Sequence, residues 1–167
     1  MATAAPVGKN VFDRVVTDRG LGIAAGIMLA VVAVAVARGY ADWSRISWHV
    51  WAHLGLIATA LALTPVMLIR PKGSRSHRVL GWVWASAMIL TALSSLLIRD
   101  TNHGGFSVIH ILSVWVLLQV PLLVWRARKH DVAGHRHGVR GIVFGALLIA
   151  GFFTFPFDRL LGHWLFA

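Results

Sequence analysis

No cysteine occurs in the 167 residues. Disulfides, thiolate metal sites, iron–sulfur ligation and covalent Cys-x-x-Cys-His haem attachment are therefore excluded, and any metal must use nitrogen or oxygen ligands. Acid is scarce as well, with six Asp and Glu against sixteen Lys and Arg. So few carboxylates make acid–base catalysis by a carboxylate pair an unattractive reading, and no nucleophile motif or phosphate-cradling glycine loop is present. Charged residues reach only 13% while hydrophobic ones reach 57%, and mean hydropathy is +0.73. A soluble domain of this length exposes far more charge. The bilayer is the expected solvent.

The formal net charge of +10 does not indicate nucleic acid, because the cations sit in short loops between apolar spans rather than in contiguous runs. Five apolar runs are expected to cross the membrane, at about 21–38, 47–69, 77–98, 106–125 and 139–157. Each approaches the roughly 20 residues that span a hydrocarbon core of about 30 Å, the last of them marginally. Residues 1–20 form a polar leader, in which Val11, Phe12, Val15 and Val16 fall at helical spacing and predict a short amphipathic helix on the membrane surface. Residues 21–167 then make one transmembrane domain. Gly22 and Gly26 form a small-xxx-small pattern, read as helix packing within the chain.

Two loops are strongly basic: Arg70, Lys72, Arg75 and Arg78 in one, Arg126, Arg128, Lys129, Arg136 and Arg140 in the other. The positive-inside rule puts both loops and the N-terminus in the cytoplasm of a bacterial inner membrane, with the C-terminus outside. Trp43, Trp48, Trp51 and Trp164 then suit the outer boundary, and Trp82, Trp84 and Trp125 the inner one.

The chain also carries an internal echo. His77-Arg78-Val79-Leu80-Gly81-Trp82-Val83-Trp84 matches His137-Gly138-Val139-Arg140-Gly141-Ile142-Val143-Phe144 as His-x-Val-x-Gly-x-Val-aromatic, sixty residues on. Pro65 with Arg70 recurs as Pro121 with Arg126, and Arg99 as Arg159. The fold expected is all-α: five transmembrane helices, the last four a four-helix bundle made of two repeated hairpins, 47–99 and 106–159.

Nine histidines against one tyrosine fall into two depth layers. His53 and His110 stand near the outer boundary and are near-equivalents under the repeat. His77 pairs with His137 at the inner side, with His135 as the alternative partner. Each layer offers one imidazole from each hairpin, the arrangement that clamps a flat macrocycle by two axial nitrogens. Ionisable groups within a membrane are costly and usually functional. His49 lies one turn from His53 on the same face. His103, His130 and His163 read as solvated residues.

This architecture resembles the transmembrane b-type cytochromes of the ascorbate-reducible kind, in which four helices hold two haems b through histidines on different helices. The local motifs are similar to an uncharacterised bacterial family of small multi-pass membrane proteins. That family carries a His-Arg-x-x-Gly element, here His77-Arg78-Val79-Leu80-Gly81, and an Asp-x-x-x-His-Arg element, here Asp131 to Arg136. The first resemblance implies one or two haems b, with electron transfer between a quinol or outer reductant and an acceptor. The second favours His135 over His137. Arg70, Arg126, Arg99 and Arg159 would be candidates to pair with haem propionates, although interfacial arginines also snorkel to lipid headgroups. Lipid is the expected surrounding partner, with quinone and other membrane subunits as further ones. The competing expectations are an accessory subunit of a larger membrane complex, or a copper or zinc site built from His49, His53, His110 and His163.

Overall fold

The structure, a computed structural model, describes residues 16–98, 108–156 and 159–167. Among these all regular structure is helical. The leader expected over residues 1–20 lies almost wholly outside the described residues. Helix α1 (Asp18–Arg38) starts where Thr17 Oγ1 accepts the Gly20 amide at 3.0 Å. Asp18 in its first turn and Arg38 in its last complement the helix dipole. A 3-10 segment, Gly39–Arg45, leads into α2 (Trp48–Ile69). Ser74 caps α3 (Arg75–Leu97), and α4 (Val108–Arg128) follows. Asp131 caps α5 (Val132–Ile142), which continues without a break into a π-helical stretch, Val143–Ile149, and a last α-turn, Ala150–Phe152. A short α6 (Leu160–Phe166) closes the chain.

Four helices, α1 to α4, are long and apolar enough to cross a membrane, and only 22 to 33% of their most apolar windows is buried within the chain. Large side chains such as Ile27, Leu93, Ile111 and Leu118 face outward. Four such helices mark a membrane protein, and their outer faces are compatible with lipid contact. The fifth expected span is not among them. The helix meant to begin near 139 begins at Val132, because the Asp131 side chain accepts the Gly134 amide at 2.9 Å. Its first turns therefore carry His135, Arg136, His137 and Arg140. Hydropathy marks where an apolar run begins, while a cap marks where helical hydrogen bonding begins.

Neighbours in sequence are neighbours in space: α1 packs on α2, α2 on α3, α3 on α4 and α4 on α5. The ring closes where the π-helical stretch returns against α1. Helix α1 is thus a full member of the bundle, packed against α2 more extensively than any other pair, rather than an addition to a four-helix core. The reason is local. Gly22 is buried against Pro65, where a Cβ would stand 3.4 Å from the proline Cα, and Ala25 and Ala60 are fully buried beside it. Gly26 meets nothing within 4 Å. Of the two expected small positions, one serves packing. Between α2 and α3, buried Trp84 donates to Thr64 Oγ1 at 3.0 Å, and Thr64 donates to the Ala60 carbonyl at 2.7 Å.

The two ends of the bundle differ in chemistry. One holds the basic loops and is called the basic end here; the other, the far end, is closed by aromatic packing. Trp164 of α6, placed by sequence at a membrane boundary, is only 3% exposed. It donates to Asp42 Oδ2 at 3.2 Å, stacks on Trp51 and lies against the bare Cα of Gly39. A Cβ on Gly39 would overlap the indole. The variant G39A is expected to lose about 1–3 kcal/mol through overpacking and to loosen α6, read as a lower unfolding midpoint and faster proteolysis after residue 156.

Candidate functional site

Helices α2, α3 and α4 bring His53 and His110 to one level near the far end. His53 Nδ1 and Ser94 Oγ are 2.9 Å apart, and Ser94 Oγ donates to the Thr91 carbonyl at 2.9 Å. With the Ser94 proton on the Thr91 carbonyl, the Nδ1–H tautomer of His53 completes the chain and leaves Nε2 with the lone pair. His110, on α4, is 4% exposed. One turn beyond it, Ser113 touches Ser95, the residue after the His53 partner. The two histidines thus flank α3 from its two neighbouring helices.

His53 lines a partly open cavity of about 150 Å³, to which all five long helical segments and α6 contribute. Its walls are mostly apolar, with Met28, Leu61, Met88 and Leu147 among them, and Thr91, Ser95, Ser113 and Thr154 supply hydroxyls. The π-helical stretch contributes Ala146 and Leu147 to this wall, and π-helical turns concentrate at functional sites.

The other layer lies at the basic end. His77 stands three residues after its cap Ser74, partly buried, and its Nδ1 is buried with no hydrogen-bond partner among the described residues. His135 and Lys72 are both within electrostatic reach of it. His135 Nδ1 donates to the Leu123 carbonyl at 3.0 Å, which again leaves Nε2 with the lone pair. His137 is exposed. The caps explain why. Asp131 follows Ser74 by 57 residues, so His77 is the third residue of its helix while His137 is the sixth. The motif offset of sixty does not carry into helix register. Packing follows the same spacing: Gly81 lies against Met67 and Gly138, 57 positions later, lies against Leu123. Gly141, which the motif aligned with Gly81, meets nothing within 4 Å.

The remaining candidates are dispersed. His49 Nε2 is 3.2 Å from Ser47 Oγ, and His163 is exposed on α6. Among the described residues no group of three or more potential metal ligands occurs. Arg70 is exposed at the end of α2, and Arg126 donates to the Gly134 carbonyl at 3.2 Å. Arg159 is the N-cap residue of α6. Arg99 and His103 lie outside the described residues.

One group escaped the sequence reading altogether. Asp18, at the start of α1, holds Arg140 at 2.7 Å, Arg136 at 2.9 Å and Lys72 at 3.1 Å. A single carboxylate thereby ties α1, α5 and the α2–α3 loop together at the basic end. The one available signal was scarcity, because cations from both basic loops compete for very few acids.

No family model matches the chain, and no curated protein or solved structure is significantly similar to it.

At each layer one imidazole, His53 or His135, presents a nitrogen that a metal could take. Ligating imidazoles characteristically present Nε2 while Nδ1–H bonds a carbonyl or hydroxyl, as His53 and His135 do, and the buried His77 Nδ1 has no hydrogen-bond partner among the described residues. Room does not match a macrocycle. The cavity of about 150 Å³ is lined by His53 and not by His110 and holds one aromatic ring, so a macrocycle requires Met28, Met88 and Leu54 to withdraw and the helices to part.

Proposed function

We propose that this chain is a membrane-embedded b-type cytochrome that passes electrons between a quinol or outer reductant and an acceptor. The observation that carries the reading is the pair of imidazoles, His53 and His135, each with Nδ1–H satisfied and Nε2 presented, near opposite ends of one bundle. His53 with His110 would hold a haem near the far end, and His77 with His135 one near the basic end. Bound haem supplies reversible one-electron transfer. The chain's own residues fix the imidazole tautomers, exclude water with the Met28, Leu61 and Leu147 wall, and offer Arg70 and Arg159 to propionates. In this reading α5 and its π-helical continuation form a fifth span of a bacterial inner-membrane protein. The basic end is cytoplasmic, the hairpins 47–99 and 106–159 are repeats, and quinone and other membrane subunits are the partners.

The cavity volume favours a second reading, in which a small lipophilic ring, a phenol or quinone headgroup, occupies the cavity and hydrogen-bonds to His53. One experiment separates the two. Purified from cells grown with ample haem, the protein is expected to show a Soret band and a dithionite-reduced α-band, with H53A removing part of both. A folded, colourless preparation overturns the cytochrome and leaves the ring-binding cavity.

A further inference from the structure

The Asp18 hub is overcharged. One carboxylate faces the cations of Lys72, Arg136 and Arg140, which leaves a local excess of two positive charges. The three are unequal. The Arg140 side chain is 9% exposed and sits directly on Asp18, whereas those of Lys72 and Arg136 are 50% and 55% exposed. Lys72 is further steered by the fold: its Nζ also donates to the Leu68 carbonyl at 3.0 Å, at the end of α2. The hub lies where α1 begins and α2 ends, which is the depth at which apolar helices give way to headgroups. The only other described carboxylate at this end, Asp131, lies 4.0 Å from Arg126.

From this geometry we propose that the basic end carries a binding site for an anionic phospholipid, whose phosphodiester is held by Lys72 and Arg136 beside Asp18. The guanidinium of Arg136 provides a fork for two phosphate oxygens and the Lys72 ammonium a compact third donor. The acyl chains run down the apolar outer faces of α1 and α2. Asp18 keeps the two cations in place, and its own charge is offset by Arg140 in contact with it. A lipid held there bridges α1 to α5 from outside, as the carboxylate does from within.

The test is native mass spectrometry of the full chain released from nanodiscs of phosphatidylcholine, alone or mixed with phosphatidylglycerol. One phosphatidylglycerol is expected to remain bound per chain, in preference to phosphatidylcholine. The double variant K72Q/R136Q is expected to weaken retention roughly 20- to 30-fold, about fivefold per cation. The milder R136Q gives about fivefold and reports the same site if the double variant folds poorly. R128Q/K129Q, which removes two exposed cations elsewhere at this end, keeps the lipid. Equal retention of both lipids, undiminished retention in K72Q/R136Q, or equal loss in R128Q/K129Q overturns the proposal. Displacement of phosphatidylglycerol by inorganic phosphate overturns the lipid as the source of the phosphate.

Discussion

Replacing Asp18 with asparagine is expected to cost about 3–5 kcal/mol of stability, the range for removing one partner of a buried ion pair. The side chains of Asp18 and Arg140 are 13% and 9% exposed, and their contact is 2.7 Å. Asparagine keeps the shape and removes the charge, so the guanidinium loses its carboxylate while remaining desolvated. Lys72 and Arg136 are half exposed and can turn to solvent or headgroups, so they add little to the loss. The size of the effect therefore rests on one contact. A denaturant titration of D18N against wild type in detergent measures it. The double variant D18N/R140Q should recover much of the loss, because the desolvated charge goes with its partner. A D18N cost below about 1 kcal/mol would show that the hub is a surface feature, where exposed pairs are worth at most that much.

The second large effect concerns the basic-end histidines. If the proposed cytochrome holds, H135A removes the basic-end haem, halving iron per chain, whereas H137A leaves iron unchanged. The structural basis is the Nδ1–H bond from His135 to the Leu123 carbonyl, its proximity to His77, and the exposure of His137. H77A should match H135A, since both ligands belong to one site. Iron analysis with the reduced α-band as a second readout decides the matter, and loss in H137A without loss in H135A would refute the assignment. Helix content by circular dichroism separates ligand loss from unfolding. Gly138, packed on Leu123, holds α5 at the distance that lets His135 reach that carbonyl.

Apolar composition with scarce charge was enough to show a helical membrane protein, because a bilayer tolerates few alternatives to long apolar helices. The extents of α1 to α4 followed to within a few residues, since each apolar run is bounded by charge, proline or a capping side chain. Residue identity also singled out the histidines, as intramembrane ionisable groups stand out against Ala, Leu and Val. Register was not legible in the same way. The His-x-Val-x-Gly echo aligned His77 with His137, but Asp131 fixes the start of α5, and His137 is exposed where His135 is partly buried. A string match counts positions, whereas a helix face depends on where hydrogen bonding begins.

Only the tertiary structure decided the rest. The position of α1 inside the ring depends on Gly22 meeting Pro65 and on the π-helical stretch returning to it, contacts between residues far apart in the chain. The burial of Trp164 depends on Gly39 lacking a side chain. Asp18 is one acid in a polar leader until folding brings Lys72, Arg136 and Arg140 around it. The same holds for the tautomers of His53 and His135, set by Ser94 and by the Leu123 carbonyl. The sequence by itself determined the membrane as solvent and the four long helices, because these follow from composition and local hydrogen bonding. Which residues meet is a property of packing, since partners on different helices, from twelve to more than a hundred positions apart, leave no local signature.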